Sequence, residues 1–399
     1  MRPAVLALGA SLIASTAHAD IETSWRVAGW SGDRMSRAEE GPVANAEAWI
    51  RAGAPSSDGA SLRFEAWVAA DPVGHDEADA DIREASITVT PGPLRLTAGR
   101  QVHAWGRSDR INPTDVIGAR DLRRLTEDDG DNRLGAAGAS AQLDLAGGVA
   151  SLHWLPEFRA NRLPITLPAP EIRDRPGNTE GQFALRYERY GQALDWSISY
   201  ADLADRTPWL DLGLAAGRPQ IILRHPRLRM LGGDLATTLG PYGVRAEAAL
   251  YHYDRSDLTG LALRRPRFAL VLGADRDLPG QLNLNVQTVL RANDTQPAPP
   301  GPKAATALRN AAIQYAWRDT VVGATVRLRK PFAAERGSVE ATVAAYAGGG
   351  TYAQIRLTYA LRDGLRASLL AERFAGRSDS LFGRLEDNSL IAVGLRAGF

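Results

Sequence analysis

The chain reads as an all-β protein, a transmembrane antiparallel β-barrel of about 16–18 strands. Three observations predict it. Segments of roughly 9–11 residues alternate apolar and polar side chains between turn signals, the span that a tilted strand needs to cross a bilayer. No stretch after Asp20 is apolar enough for a transmembrane helix, which takes roughly 20 apolar residues. The last segment, Leu390 to Phe399, alternates and ends on an aromatic residue. With Gly394, Leu395 and Phe399 in it, that segment has the form by which the barrel assembly machinery recognises its clients. Hydrocarbon forces every backbone donor and acceptor to be paired within the protein, so strands cross it only as a closed barrel.

Arg2, the apolar run Ala4 to Ala17 and the small-x-small site Ala17-His18-Ala19 predict an export signal over residues 1–19. Residues 20–399 then form one unit, because no Pro/Ser-rich linker or composition shift divides them. The chain has no cysteine, 39 glycines and a net charge of +1. Absence of cysteine suits an oxidising periplasm, and the balanced charge argues against nucleic acid as a partner.

In order, Ile21 to Trp30 and Asn45 to Ala52 are the first strands, with Trp25, Trp30 and Trp49 as aromatic anchors. Ser61 to Ala69 places Leu62, Phe64, Ala66 and Val68 on one face and Arg63 and Glu65 on the other. The acidic run Asp71 to Asp81 is a solvated loop, since no Gly-containing calcium loop is present. Ile82 to Thr90 and Leu94 to Val102 form a hairpin across Pro91-Gly92-Pro93; Gly135 to Leu145 and Gly148 to Leu155 form another. Pro156 to Asn178 reads as a long loop. Phe183 to Tyr187 pairs with Leu194 to Tyr200, followed by strands at Pro219 to Arg229, Gly233 to Leu239 and Gly243 to Tyr253. For the basic cluster Arg224 to Arg229, lipid headgroups and a loop lining are both open. Arg267 to Ala274 and Gln281 to Leu290 pair, and Ala292 to Ala307 is a Pro-rich loop. From Ala311 to Leu328 the apolar parity switches at Arg318-Asp319-Thr320, which requires a turn or a bulge. Strands at Val339 to Tyr346, Tyr352 to Tyr359, Leu365 to Phe374 and Leu390 to Phe399 complete the set. Aromatics near strand ends, among them Tyr187, Trp196, Tyr251, Tyr253, Tyr315, Tyr346 and Tyr352, fit interfacial girdles.

The functional candidate is the polar, charge-balanced segment near 99–133, expected to fold into the lumen. Its residues are Arg100, Gln101, Trp105, Arg107, Asp109, Asn112, Asp115, Arg120, Asp121, Arg123 and Arg124. Near low-dielectric walls these charges must pair, while free Arg forks would bind anionic solutes. Bracing and filtering use the same rings of charge. Arg100 shares parity with Leu94 and Leu96, so a bulge at Gly99 is required to turn it inward. Against an enzyme, no Gly-x-Ser-x-Gly elbow appears, and His103 with Ser108 and Asp109 is a weak hydrolase constellation. No metal-ligand spacing is present and no cofactor is implied.

Two blocks carry a resemblance. Gly99-Arg100-Gln101, Trp105-Gly106-Arg107-Ser108-Asp109, Asn112-Pro113-Thr114-Asp115 and Arg120-Asp121-Leu122 form one, and Phe382 to Asn388 forms the other. Together they resemble poorly characterised proteobacterial outer-membrane barrels grouped near the alginate-export porins. The resemblance implies a Gram-negative outer-membrane location, among outer-membrane lipids, and a porin-like route for solutes or hydrophobic, lipidic compounds. It also implies an inner-membrane efflux-type transporter or a periplasmic carrier as partner. A non-conducting structural barrel is the alternative.

Overall fold

A computed structural model of the chain describes residues 20–31, 43–55, 59–70, 78–124, 128, 130–164, 172–254, 256–258 and 260–398. The expected export signal, most of the acidic run, Asp129 and Phe399 lie outside the described residues.

Eighteen antiparallel strands form one closed sheet. In chain order they are β1 (Asp20–Ser31), β2 (Val43–Pro55), β3 (Ala60–Ala70), β4 (Ala78–Val89), β5 (Leu94–Gln101) and β6 (Ala136–Leu145). β7 (Gly148–Trp154), β8 (Phe183–Arg189), β9 (Leu194–Ala204), β10 (Arg227–Leu239), β11 (Tyr242–Tyr253) and β12 (Arg264–Leu278) follow. The last are β13 (Leu282–Thr295), β14 (Thr320–Phe332), β15 (Gly337–Tyr346), β16 (Gly350–Arg362), β17 (Leu365–Ala375) and β18 (Leu390–Gly398). β1 pairs with both β2 and β18, so the sheet has no free edge.

Alternation explains which way each strand faces. On β3, Leu62 and Val68 are exposed while Glu65 and Trp67 are each 4% exposed. Along β16 to β18, Ile355, Leu369, Ile391 and Leu395 continue the exposed apolar surface. Apolar residues outside and charged residues inside invert a soluble protein, and they match a barrel whose solvent is lipid. The two ends differ as well. Tight turns such as Ala146–Gly147, Gly240–Pro241 and Asp363–Gly364 close one end. Ala146 and Gly147 both have positive φ (51° and 75°), as a two-residue hairpin of matching twist requires. Long connections emerge at the other end, at 102–135, 155–182, 205–226, 296–319 and 376–389.

Several strand expectations change. Pro219 to Arg229 is not one strand: Arg218–His225 belongs to a small three-stranded sheet with Ile172–Pro176 and Trp209–Ala215, outside the barrel sheet. Gly233 to Leu239 is the second half of β10, whose continuity Gly232 and Gly233 conceal because they carry no side chain to alternate. The loop read at Pro156 to Asn178 therefore contains a short strand. A helix, α1 (Lys303–Ile313), was hidden behind the Pro-rich run. Its Ala-rich sequence has high helix propensity, so the parity switch at Arg318-Asp319-Thr320 is neither bulge nor hairpin turn: β14 begins there, at Thr320.

The aromatic assignments also divide. Trp25 is exposed on the outer face, whereas Trp49 is 3% exposed and lies inside. Tyr346, Tyr315, Trp317, Tyr352 and Phe374 pack into an internal cluster, and Tyr253 into another. They fill the lumen rather than girdle the membrane. The side chain of Trp30 lies outside the described residues.

At Gly135, just before β6, a Cβ would overlap the carbonyl oxygen of Arg83. Gly135→Ala is therefore expected to destabilise the barrel by about 1–3 kcal/mol, the usual cost of overpacking. A fall in the temperature at which the folded, fast-migrating band is lost on electrophoresis would register it; an unchanged temperature would contradict the close approach.

Candidate functional site

The connection from β5 to β6 turns into the barrel and crosses it. Gly99 has φ +119°, and a Cβ there would strike the Ala85 backbone. The ladder nevertheless runs unshifted through Gly99 against both β4 and β6. The required bulge is absent, and Arg100 keeps the parity of Leu96. Its guanidinium is held at the strand end by Glu157 (2.9 Å) and by the Gly135 carbonyl (2.9 Å). Gln101 bonds to Ser140 across the same ladder.

Inside the barrel the segment has its own architecture. Asn112–Asp115 forms the expected turn, with the Asp115 amide donating to the Asn112 carbonyl. Ala119–Arg120 pairs with Arg133–Leu134, drawing the two limbs together. Asp115 sits at the centre: its carboxylate accepts from the Trp105 amide (3.2 Å), Arg120 (3.0 Å) and Arg133 (2.6 Å). The Asp121 side chain is fully buried, bound by Arg123 and Arg162. Burial works to raise its pKa, but the Arg123 hydrogen bonds and the two cations outweigh it and hold the carboxyl below its ordinary range.

Apolar and ionic contacts then fix the segment to the wall. Trp105 and Ile117 join an internal core with Leu155, Leu203, Trp209 and Met230. Ile111 packs on the second core, beside Tyr315 and Phe382. Arg107 reaches Asp234 on β10 (2.6 Å), with Glu188 and Asp195 also within ion-pair range. Asp109 pairs with Arg327 on β14 (3.0 Å) and its amide donates to Gln287 on β13. Arg110, in the left-handed region at φ 66°, extends to Glu340 on β15 and Gln354 on β16. Glu247 on β11 is 1% exposed and receives the amides of Arg107, Ser108 and Thr114 and the Thr114 hydroxyl.

The returning limb is latched to the opposite wall. Asp131 faces Arg26 (2.7 Å), Arg51 (3.3 Å) and Arg83 (3.9 Å), from β1, β2 and β4. Arg124 pairs with Glu47 and lies 3.6 Å over the Trp67 ring. The guanidiniums of Arg26, Arg51 and Arg83 also surround Trp49.

Arg100 and Gln101 stay at the end of β5, against the expectation that they line the lumen, and the remaining candidates come together as a brace. Arg100, Arg107, Arg120, Arg123 and Arg124 each have a carboxylate of the protein as partner. Trp105 is buried and faces no open lumen. The sequence reading missed the wall anchors Asp234, Glu247, Gln287 and Glu340 as a set. Their signal was a polar residue on the non-lipid parity of its strand, which gives no hint of what it holds. The hydrolase constellation is not assembled: His103 packs on His153, the Ser108 amide binds Glu247, and Asp109 binds Arg327. The cluster Arg224 to Arg229 is paired within the protein, Arg224 with Asp211 and Arg227 with Asp202. In β18, Leu395 lies on the lipid face and pairs with Val27, while Gly394 pairs with Ala28 and Ser368.

Comparison with known proteins agrees on architecture. Residues 74–255, which include the whole lumen segment, match the model of a family described as protein of unknown function, DUF1302. No curated protein matches the chain. Among solved structures, OccAB2 of Acinetobacter baumannii is similar with a TM-score of 0.60 at 11% identity, covering 96% of this chain and 98% of that one. OccK8 (OprE) of Pseudomonas aeruginosa has a TM-score of 0.58 at 10% identity, covering 96% and 97%. OpdK of the same organism, described as an outer membrane protein and solved with vanillate, has a TM-score of 0.56 at 10% identity, covering 96% and 98%. At such identities the likeness is one of fold.

Proposed function

We propose that the chain is an outer-membrane channel for small hydrophilic solutes, whose bore is set by the segment between β5 and β6. The observation that carries this is the wall-to-wall bracing of that segment, from Asp131 on one side to Arg110 on the other. Ion pairs to both halves of the wall hold the segment across the bore, beside the apolar seats of Trp105, Ile117 and Ile111. The apolar exterior suits a barrel in a membrane, and short turns at one end with long connections at the other support an orientation with the long connections outward. The charged interior favours hydrophilic cargo over the lipidic compounds that the alginate-export resemblance also allows. A periplasmic carrier or an efflux-type inner-membrane transporter as partner belongs to that resemblance, and the same segment would face it from within.

The test is conductance of the purified protein in planar bilayers. A small, steady conductance is expected. Arg107→Ala removes one of the two cations that serve Asp234 and Glu188, leaving them Arg186, and takes away the cation beside Asp195, so the variant should turn towards cation selectivity. One unit charge roughly 8 Å from a passing ion, at an effective dielectric near 40, is worth ~1 kcal/mol, or about five-fold in permeability ratio. No conductance from protein that retains its heat-modifiable β structure would sink the channel reading.

A further inference from the structure

Arg206 follows β9 and is 4% exposed. Its two terminal nitrogens, Nη1 and Nη2, are buried and meet no acceptor among the described residues. The acids near enough to attract it are Asp205 and Glu157, and both are already engaged. Asp205 accepts from the Thr207 amide, Trp209 Nε1 and the Tyr253 hydroxyl. Glu157 accepts from Arg100 and the Ala137 amide. One face of the guanidinium is covered by the Phe158 ring, 5.0 Å away, and the Arg206 carbonyl is fixed by the Asn161 amide. Nearby, His103 Nε2 and His153 Nδ1 are also buried without a partner among the described residues, their rings 4.9 Å apart.

Burial lowers the Arg206 pKa only to about 10, so the group stays charged at neutral pH. Burial, His153 and the Arg206 charge, in that order, push His103 down to about 3, so its ring stays neutral and Nε2 is free to donate in one tautomer. A buried charge demands a counter-charge and acceptors.

We propose that Arg206, with the His103 ring, holds a small monovalent anion of chloride size beneath the long-loop end of the barrel. Asp205 and Glu157 supply part of the counter-charge, but Nη1 and Nη2 still lack acceptors; a ligand that adds little further negative charge therefore fits, and the enclosure of Arg206 calls for an ion rather than the end of a larger solute. Because His103 stands at the entry of the lumen segment, two residues before Trp105, the anion ties that entry to the connections at 155–164 and 205–226. The inference is independent of whether the barrel conducts.

The test uses the full chain in detergent. Crystals soaked in bromide should show an anomalous peak at Arg206 Nη1 and Nη2. The unfolding midpoint should be higher in chloride than in gluconate, and Arg206→Gln should lose that difference. Arg206→Lys, which keeps the charge but not the fork, should retain part of it. Ordered water at Arg206 with no bromide, bromide only elsewhere, or an equal chloride response in Arg206→Gln would each overturn the proposal. Should Arg206→Gln fail to fold, the bromide experiment on the unaltered chain still decides.

Discussion

Asp131→Leu is expected to release the returning limb of the lumen segment and to cost about 3–5 kcal/mol, the usual penalty for removing one partner of a buried ionic cluster. Asp131 is 4% exposed. Arg26, Arg51 and Arg83 converge on it; Glu47 also holds Arg26 and is shared with Arg124, while Glu65 also holds Arg51 and Arg83. Without Asp131, four guanidiniums face two carboxylates around Trp49. The limb from Arg124 to Arg133 should then leave the wall, because cation repulsion replaces the attraction that held it. Two measurements check this together: the midpoint of heat modification should fall by several degrees, and bilayer conductance should rise with added noise. Asp128→Asn is the contrast. Asp128 also pairs across to the barrel, with Arg396 at 2.9 Å, but its side chain is 59% exposed. An exposed pair of this kind contributes about 0–1 kcal/mol, so that variant should match the parent. Equal behaviour of the two variants would show that the latch does not hold the segment.

The barrel was legible because membrane strands leave a periodic record: one parity faces lipid, and Leu62, Phe64 and Val68 show it without help from any other strand. Where no side chain marks the parity, as at Gly232 and Gly233, β10 broke into two in the reading. Where a connection carried its own structure, as at Ile172–Pro176 and Lys303–Ile313, turn-forming prolines concealed it. Aromatics misled for a further reason. A girdle and an internal core draw on the same residues, and Trp49 or Tyr346 can be assigned to one only when the register is known. Within the site, the inward course of the segment could be read from its charge between two strands. What each Arg meets could not, because Asp234, Glu340 and Glu47 lie far from it in sequence. Pairing decides the chemistry here: an Arg that already holds a carboxylate is a brace, and only one without a partner, such as Arg206, is free to bind something else.

Glu247→Gln should loosen the crossing limb while leaving the barrel closed. Among the described residues no basic side chain pairs with Glu247; it holds the segment by receiving donors. Oε1 accepts from the Thr114 amide and hydroxyl, both at 2.8 Å, and Oε2 from the amides of Arg107 and Ser108, both at 3.2 Å. A glutamine offers one acceptor oxygen and one amino group. Turned one way, the amino group confronts the Arg107 and Ser108 amides; turned the other, it confronts the Thr114 amide, while the Thr114 hydroxyl can rotate to accept from it. A buried donor left without an acceptor costs about 1–3 kcal/mol, so the arch from Gly106 to Thr114 should lose at least that much of its attachment. The barrel strands keep their ladders, since the Glu247 backbone pairs with Asp234 and Val271 regardless of its side chain. The expected signature is therefore a split: heat modification nearly unchanged, and single-channel current interrupted by frequent closures as the arch moves. Glu247→Ala, which takes the acceptor from all four donors, should show the same interruptions at equal or greater frequency. If both variants gave the quiet current of the parent, the arch would be held by its two apolar seats, Trp105 and Ile111, and not by this carboxylate.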